Sequence, residues 1–279
     1  MDNDMTTAGG SVALLEAPRP PVTEPFAELP EAAKKSQKTP DPQPEPLSRT
    51  GTLSVAIPAY NEKDTLREIL AQVLAVDVPL EVIIVDDGST DGTRDILRDE
   101  IEGKYPHVRV IYHEQNQGKG AAIVTAIQHA TGEFLVVQDA DLEYDPQDYK
   151  RLLEPLVAGD AEVVYGSRFK GTIQNMQFPN RLANRILTIT TNILFPHARI
   201  SDEATCYKVF RTDLLKTIPL RSRRFDFCPE VTAKVLKRGH RIHEIPIDYV
   251  ARTITQGKKI RWTDAFDAFW TLVKYRFKD

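Results

Sequence analysis

Three short apolar runs recur along the chain, each closed by polar residues. Leu53-Ser54-Val55-Ala56-Ile57-Pro58 leads into Ala59-Tyr60-Asn61-Glu62, and Glu81-Val82-Ile83-Ile84-Val85 is closed by Asp86-Asp87-Gly88-Ser89. Leu135-Val136-Val137-Gln138 is followed by Asp139-Ala140-Asp141-Leu142-Glu143. Short runs bounded by acids and turn formers predict buried strands. Between them, residues 64–76 place Leu66, Ile69, Leu70, Val73 and Leu74 at helical spacing, and residues 119–130 do the same with Ala122, Ile123, Ala126, Ile127 and Ala130. Strand, helix, strand, repeated, predicts an α/β fold with a mainly parallel sheet and helices on both faces. Ligands of such sheets bind beyond the carboxyl ends of the strands, where all three polar clusters lie.

The third run carries the most chemistry. If its strand continues, alternation puts Asp139, Asp141 and Glu143 on one side. Three converging carboxylates repel and need a cation. Mg²⁺ or Mn²⁺ suits such hard oxygen ligands and also suits a diphosphate. The plain alternative is an acidic turn after a buried strand, because short Asp-x-Asp patterns are common.

Taken in order, the motifs resemble those of the family 2 glycosyltransferases. They are Pro58-x-Tyr60-Asn61-Glu62, Val85-Asp86-Asp87-Gly88-Ser89-x-Asp91-Gly92-Thr93, Asn116-x-Gly118-Lys119-Gly120 and Asp139-x-Asp141. Downstream, Gly166-Ser167-Arg168, Arg181-x-x-Asn184 and Glu244-x-Pro246-Ile247 look more specifically like dolichol-phosphate mannosyltransferase and its bacterial polyprenyl-phosphate relatives. The resemblance covers roughly residues 53–259. It implies a GT-A (Rossmann-like) mixed, mainly parallel sheet flanked by helices in one catalytic domain, 51–279. Residues 51–165 would form the nucleotide-sugar half and 166–279 the acceptor half. The implied reaction is inverting, metal-dependent transfer of a hexose, mannose or glucose, from GDP-mannose or a UDP-hexose to a polyprenyl or dolichyl phosphate on the cytoplasmic membrane face.

On the donor side the resemblance assigns nucleotide contacts to Pro58, Tyr60, Asn61, Glu62, Asp86, Asp87 and Lys119, and the cation to Asp139, Asp141 and Glu143. Pro58, which lacks an N–H, is expected to stop strand pairing and turn the chain outward. Asn61 fits a helix N-cap equally well, and Asp91 fits a cap of the next helix. The glycine-rich loop before Lys119 allows close backbone approach at a helix N-terminus; it is not a P-loop, since the Walker spacing is absent.

On the acceptor side a lipid phosphate is already ionised, so the reaction needs cationic positioning rather than a strong general base. The resemblance gives that role to Arg168, Arg181 and Arg252, with Lys258 or Lys259 closing over the site. The family's Arg-x-x-Gly-x-Ser-Lys reads Arg252-Thr-Ile-Thr-Gln-Gly257-Lys258-Lys259 here, a departure that bears on the sugar and the lipid more than on the reaction class. Asp202 is a candidate at the border of the sugar site. Glu230 is a candidate at the anomeric centre or, more simply, an acid in the first turn of a helix. If the acceptor were a glycan or another hydroxyl, one of these two acids would have to act as a base. A noncatalytic scaffold on a proline-rich tether is the alternative from another class.

Composition changes the picture at three points. Nine of the 19 prolines fall between Pro18 and Pro46, so residues 1–50 are expected to be a disordered tail rather than part of the core. It has neither the basic start nor the apolar segment of a signal peptide. Residues 51–165 hold 9 basic and 22 acidic residues, whereas 166–279 hold 22 and 10. The basic half is expected to face an anionic partner; no nucleic-acid module is recognisable, and an anionic membrane surface fits. No stretch is long enough to span a bilayer, and Cys206 and Cys228 suggest packed thiols in a reducing compartment. Two stretches remain open. Residues 186–195 suit a buried or an interfacial helix. Residues 263–277 align Phe266, Phe269, Trp270, Val273 and Phe277 on one stripe, which suits docking on the domain or lying at a bilayer surface.

Overall fold

Alternation along the strands sorts the apolar residues onto two sides of one sheet. The computed structural model describes residues 51–252 and 262–278, so the expected tail and Lys258 and Lys259 lie outside the described residues. The strands are β1 (Leu53–Ala59), β2 (Leu80–Asp86), β3 (Val108–Tyr112), β4 (Phe134–Val137), β5 (Val163–Ser167), β6 (Ile173–Gln174), β7 (Lys208–Arg211), β8 (Ile242–Pro246) and β9 (Tyr249–Val250). The helices are α1 (Leu66–Leu74), α2 (Thr93–Ile96, continued by a wider turn through Ile101), α3 (Lys119–His129), α4 (Tyr149–Val157), α5 (Phe178–Leu194), α6 (Thr212–Lys216), α7 (Phe227–Lys237) and α8 (Trp262–Phe277).

Seven strands form one sheet in the order β3-β2-β1-β4-β7-β5-β8, and β6 pairs with β9 in a separate two-stranded ribbon. Within the large sheet only β7 is antiparallel to its neighbours, β4 and β5. The mainly parallel α/β fold expected from the sequence is therefore present, and both halves of the chain share its sheet. One face carries Leu53, Val55, Ile57, Val82, Ile84, Phe134 and Val136 against α1 and α4. The other carries Ala56, Ile83, Val85, Leu135 and Val137 against α3 and α7. Burial on both faces explains why these strands read as continuous apolar runs. A third cluster joins α5, α7 and α8 through Leu187, Ala233, Leu236, Ala268, Leu272 and Tyr275.

β1 pairs with β2 on one side and β4 on the other, so the chain order reverses direction across β1. That is the topological switch point at which α/β sheets bind ligands. Pro58 corrects one expectation. It lies inside β1, in register with Val85 of β2. The β1–β4 register ends at Ala56↔Val137, so the side on which Pro58 lacks an N–H has no ladder left to break.

Candidate functional site

The residues that follow β1, β2 and β4 meet beyond the carboxyl edge of the sheet. Asn61 has a left-handed φ of 53°. Its N–H donates to Ser89 Oγ at 3.0 Å and its Oδ1 accepts from Thr90 N at 2.9 Å, so it ties the β1 loop to the β2 loop. It does not cap α1, whose N-cap is Thr65. Glu62 N donates to Thr93 Oγ1 at 2.9 Å, and Tyr60 stands half-buried just before.

Asp86 and Asp87 are both buried and both engaged. Asp86 Oδ2 receives Arg94 Nε at 2.6 Å, and its Oδ1 accepts from Ser89 N at 3.2 Å. Asp87 Oδ1 lies 2.7 Å from His113 Nδ1 and accepts from Gln117 N at 2.9 Å, while its Oδ2 accepts from Gly118 N at 2.8 Å. The paired acids thus hold the β2 turn and the glycine loop in place. Gly118 has φ 101° and ψ 155°, a region open essentially to glycine alone, and an added Cβ would run into the Arg223 carbonyl. That conformation places Lys119 at the first position of α3. Its Nζ lies 2.6 Å from Asp139 Oδ1 and 3.4 Å from Cys206 Sγ. Burial works against the Lys119 charge, but Asp139 and the nearby thiols outweigh it and hold the ammonium well above its ordinary pKa. The same pair holds Asp139 below its ordinary value despite burial.

β4 ends at Val137, so the segment from Gln138 to Glu143 is a loop and strand alternation does not govern it. Gln138 turns inward instead. Its Oε1 accepts from Tyr149 Oη at 2.5 Å and Tyr207 Oη at 2.6 Å, and its Nε2 donates to the Asp139 carbonyl at 2.9 Å. Leu142 has φ 60° and reverses the chain. The expected convergence of three carboxylates on one ion is therefore corrected. Glu143 accepts from Tyr249 Oη at 2.6 Å and from Arg252 N at 2.7 Å, and those bonds fix it as the anchor of the Arg252 segment. No cluster of three acid, His or Cys ligands is set for a metal among the described residues.

Arg252 lies against the acids that follow β1 and β4. Its Nη2 meets Asp141 Oδ2 at 2.9 Å and its Nη1 meets Glu62 Oε2 at 3.2 Å. Burial and the charges of Asp139 and Glu143 nevertheless push the Asp141 carboxyl up to about 7, with Arg252 and Lys119 pulling the other way. The pocket is short of positive charge. Two hard carboxylates, Asp139 and Asp141, fit a divalent cation whose remaining ligands come from a diphosphate. Glu143 does not belong to that set.

Arg168 and Asp202 are placed against each other. Arg168 Nε and Nη2 reach Asp202 Oδ2 and Oδ1, each at 2.8 Å, and the Arg168 N–H adds a bond of 3.0 Å to Oδ2. The Arg168 guanidinium lies 5.0 Å from the centre of the Tyr249 ring. Arg168 is 5% and Asp202 0% exposed, and each residue is the other's partner. The downstream motifs build this pair. Glu244 Oε1 accepts from Ser201 N at 2.8 Å and Asp202 N at 3.0 Å, aiming Asp202. Ile247 packs directly on Gly166, where an added Cβ would lie 2.7 Å from Ile247 Cδ1. Glu230 is likewise engaged. It sits in the first turn of α7, accepts from Arg221 N at 2.9 Å and Ser222 N at 2.6 Å, and pairs with Lys234. Arg181 is exposed on α5, apart from the buried pairs.

Sequence reasoning did not single out Arg94, His113, Gln138, Tyr144 or Tyr207. Tyr144 stacks on Tyr207 with ring centres 4.6 Å apart and accepts from Cys206 N at 3.1 Å. Tyr144 and Tyr207 are 63 positions apart in the chain and carry no local pattern.

Acids gathered at the switch point of a mainly parallel sheet that carries one antiparallel strand fit the GT-A class of glycosyltransferase fold. The chain belongs to glycosyl transferase family 2, whose model matches residues 54–218. It is 28% identical over 211 residues to the dolichol-phosphate mannosyltransferase of Pyrococcus furiosus, covering 74% of this chain and 58% of that one. It therefore spans little more than half of that relative's length. It is also 28% identical over 236 residues to the UDP-N-acetylglucosamine–dolichyl-phosphate N-acetylglucosaminyltransferase of Methanococcus voltae, covering 78% of this chain and 93% of that one. Among solved structures, glucosyl-3-phosphoglycerate synthase of Mycobacterium tuberculosis with Mn²⁺, UDP and phosphoglyceric acid superposes with a TM-score of 0.64 at 20% identity, covering 82% of this chain and 80% of that one. At that identity the likeness is one of fold.

Proposed function

We propose that this protein transfers a hexose from a nucleotide sugar to a polyprenyl phosphate with inversion at the anomeric carbon, at a membrane face. The observation that carries the reading is the paired arrangement at the switch point, Lys119 on Asp139 and Arg252 on Asp141. Two acids, each with a mobile-length cation, suit a site that takes up a charged diphosphate. Asp139 and Asp141 would hold Mg²⁺ or Mn²⁺, which supplies charge neutralisation for the leaving diphosphate. Lys119 and Arg252, which now neutralise those acids, would be the cations within reach of the phosphates. Asn61, Asp86, Asp87 and Tyr60 shape the nucleotide end. Residues 51–165 supply the donor half and residues from 166 onward the acceptor half.

In the transfer an acceptor phosphate oxygen forms a bond to the anomeric carbon as the bond from that carbon to the donor diphosphate breaks. The electron pair leaves with the diphosphate. A phosphate monoester is ionised at neutral pH, so no proton has to be removed. A hydroxyl acceptor would need a base, yet the two acids nominated for that, Asp202 and Glu230, are locked in buried pairs with Arg168 and Lys234. This favours the phosphate acceptor. The Arg168–Asp202 pair acts by positioning, holding the floor beneath Tyr249 and hence Glu143 and Arg252.

The test is transfer of labelled sugar from GDP-mannose, UDP-glucose and UDP-N-acetylglucosamine to undecaprenyl phosphate with Mn²⁺. Lipid-linked product from one donor is the expected result. Product only on a free glycan would overturn the acceptor, and failure to bind any nucleotide sugar would revive the scaffold reading.

A further inference from the structure

Helices α5 and α8 are apolar on two sides. Each docks through one face: α5 by Leu187, Thr188 and Thr191, α8 by Ala268, Leu272 and Tyr275. The opposite faces stay open. On α5 Phe178 (75%), Leu182, Ile186, Ile189 and Ile193 (71%) are exposed, and at about 100° per residue they fall within a sector of roughly 80°. On α8 the stripe expected as a possible docking face is the exposed one: Phe266 (69%), Phe269, Trp270 (59%) and Phe277 (74%). The two helices pack against one another, and Arg276 Nε in the last turn of α8 donates to the Leu194 carbonyl at the end of α5, at 2.9 Å. The stripes therefore belong to one helix pair. Nine large apolar side chains are more than a monomer usually shows to water.

The flanking charge names the occupant. α5 contains no acidic residue, and its exposed cations Arg181 and Arg185 border the stripe. Exposed Lys274, Arg276 and Lys278 border the stripe in the last turns of α8, while its two acids, Asp264 and the exposed Asp267, lie in the first turns. An apolar band edged by cations is the signature of a helix lying in an anionic bilayer interface. No described helix is long and apolar enough to cross a membrane. We propose that α5 and α8 form a two-helix platform that seats the protein in the headgroup layer of an anionic membrane, aromatic and aliphatic residues inserted and cations on the lipid phosphates. The proposal takes its purpose from the lipid-acceptor reading but rests on its own geometry.

The experiment is flotation of the full-length protein with phosphatidylcholine vesicles with and without phosphatidylglycerol. Wild type should float, and more so with phosphatidylglycerol. The double variants Ile189→Ser/Ile193→Ser and Phe269→Ser/Trp270→Ser should each lower partitioning by about tenfold or more, because each removes two inserted side chains. Their thermal midpoints and turnover on a short, water-soluble acceptor should match wild type, since these residues are exposed and away from the acid pocket. Equal flotation of variants and wild type would overturn the platform. So would a wild type that ignores vesicles, whether because it self-associates through these helices, shown by the variants becoming monomers in light scattering, or because residues 1–50 cover them, shown by binding that appears on their deletion. Vesicle binding that behaves as expected without any transfer to polyprenyl phosphate would leave the platform standing and remove the functional reading.

Discussion

Glu203→Gln should make the protein more stable at alkaline pH and flatten its stability profile. Glu203 lies in the loop before β7 with 0% exposure. Burial pushes its carboxyl up to about 7 from an ordinary 4.5; Lys208 and the Thr232 hydroxyl pull it down, while Cys228 and Asp202 push it further up. The Lys208 ammonium is partly spent elsewhere, donating to the Glu203 carbonyl at 2.5 Å and lying 3.9 Å from the Tyr165 ring centre. A carboxyl raised in the folded state keeps a proton that the unfolded chain releases. Stability is therefore greatest below the unfolded pKa and declines as pH rises toward 7. At about 1.4 kcal/mol per unit the interval amounts to roughly 3 kcal/mol. Glutamine keeps the shape and removes the ionisation. Urea unfolding between about pH 4 and pH 8 should show the variant gaining roughly 3 kcal/mol on wild type across the range, or several degrees in Tm at the upper end. Parallel profiles for the two proteins would refute the reasoning.

Arg168→Ala strands Asp202 as a buried charge and should cost about 3–5 kcal/mol by urea midpoint, with Arg168→Met/Asp202→Leu recovering most of it; a loss under about 1 kcal/mol would show the pair is not buried as described. Arg252→Lys keeps the charge but cannot span Asp141 and Glu62 together, so the KM for the nucleotide sugar should rise about tenfold. If instead only the acceptor KM rises, Arg252 serves the lipid phosphate. Gly118→Ala should cost about 1–3 kcal/mol in thermal unfolding, since it adds a Cβ where the backbone admits glycine; a neutral result would mean that the loop has another conformation.

The strands and helices of the donor half were legible because each obeys a local rule. The runs at Leu53, Glu81 and Leu135 become β1, β2 and β4, and the two helical patterns become α1 and α3. The motif residues gather at the switch point as strand order requires. What was not legible depends on partners distant in sequence. Asp202 reads as a free acid until Glu244, 42 positions away, is seen to aim it at Arg168. The place of Arg252 is not legible until Glu143 is seen to hold its N–H and Asp141 its guanidinium. The Asp-x-Asp alternation failed because Gln138 finds two tyrosine hydroxyls in the core and ends β4 a residue earlier. The apolar stripe of α8 identified an amphipathic helix but left open whether that stripe docks; the docked face is Ala268, Leu272 and Tyr275, and the stripe of Phe and Trp is exposed.

The central claim is that Asp139 and Asp141 form the cation and diphosphate site. Calorimetric titration of GDP-mannose and the UDP-sugars into wild type and Asp141→Asn, each with and without Mn²⁺, tests it most directly. Because the Asp141 carboxyl is already pushed toward its neutral form, the variant should fold with unchanged stability. Wild type should bind one nucleotide sugar in a Mn²⁺-dependent manner, and Asp141→Asn should lose that dependence together with most of the affinity. Equal, Mn²⁺-independent binding by both proteins would contradict the account.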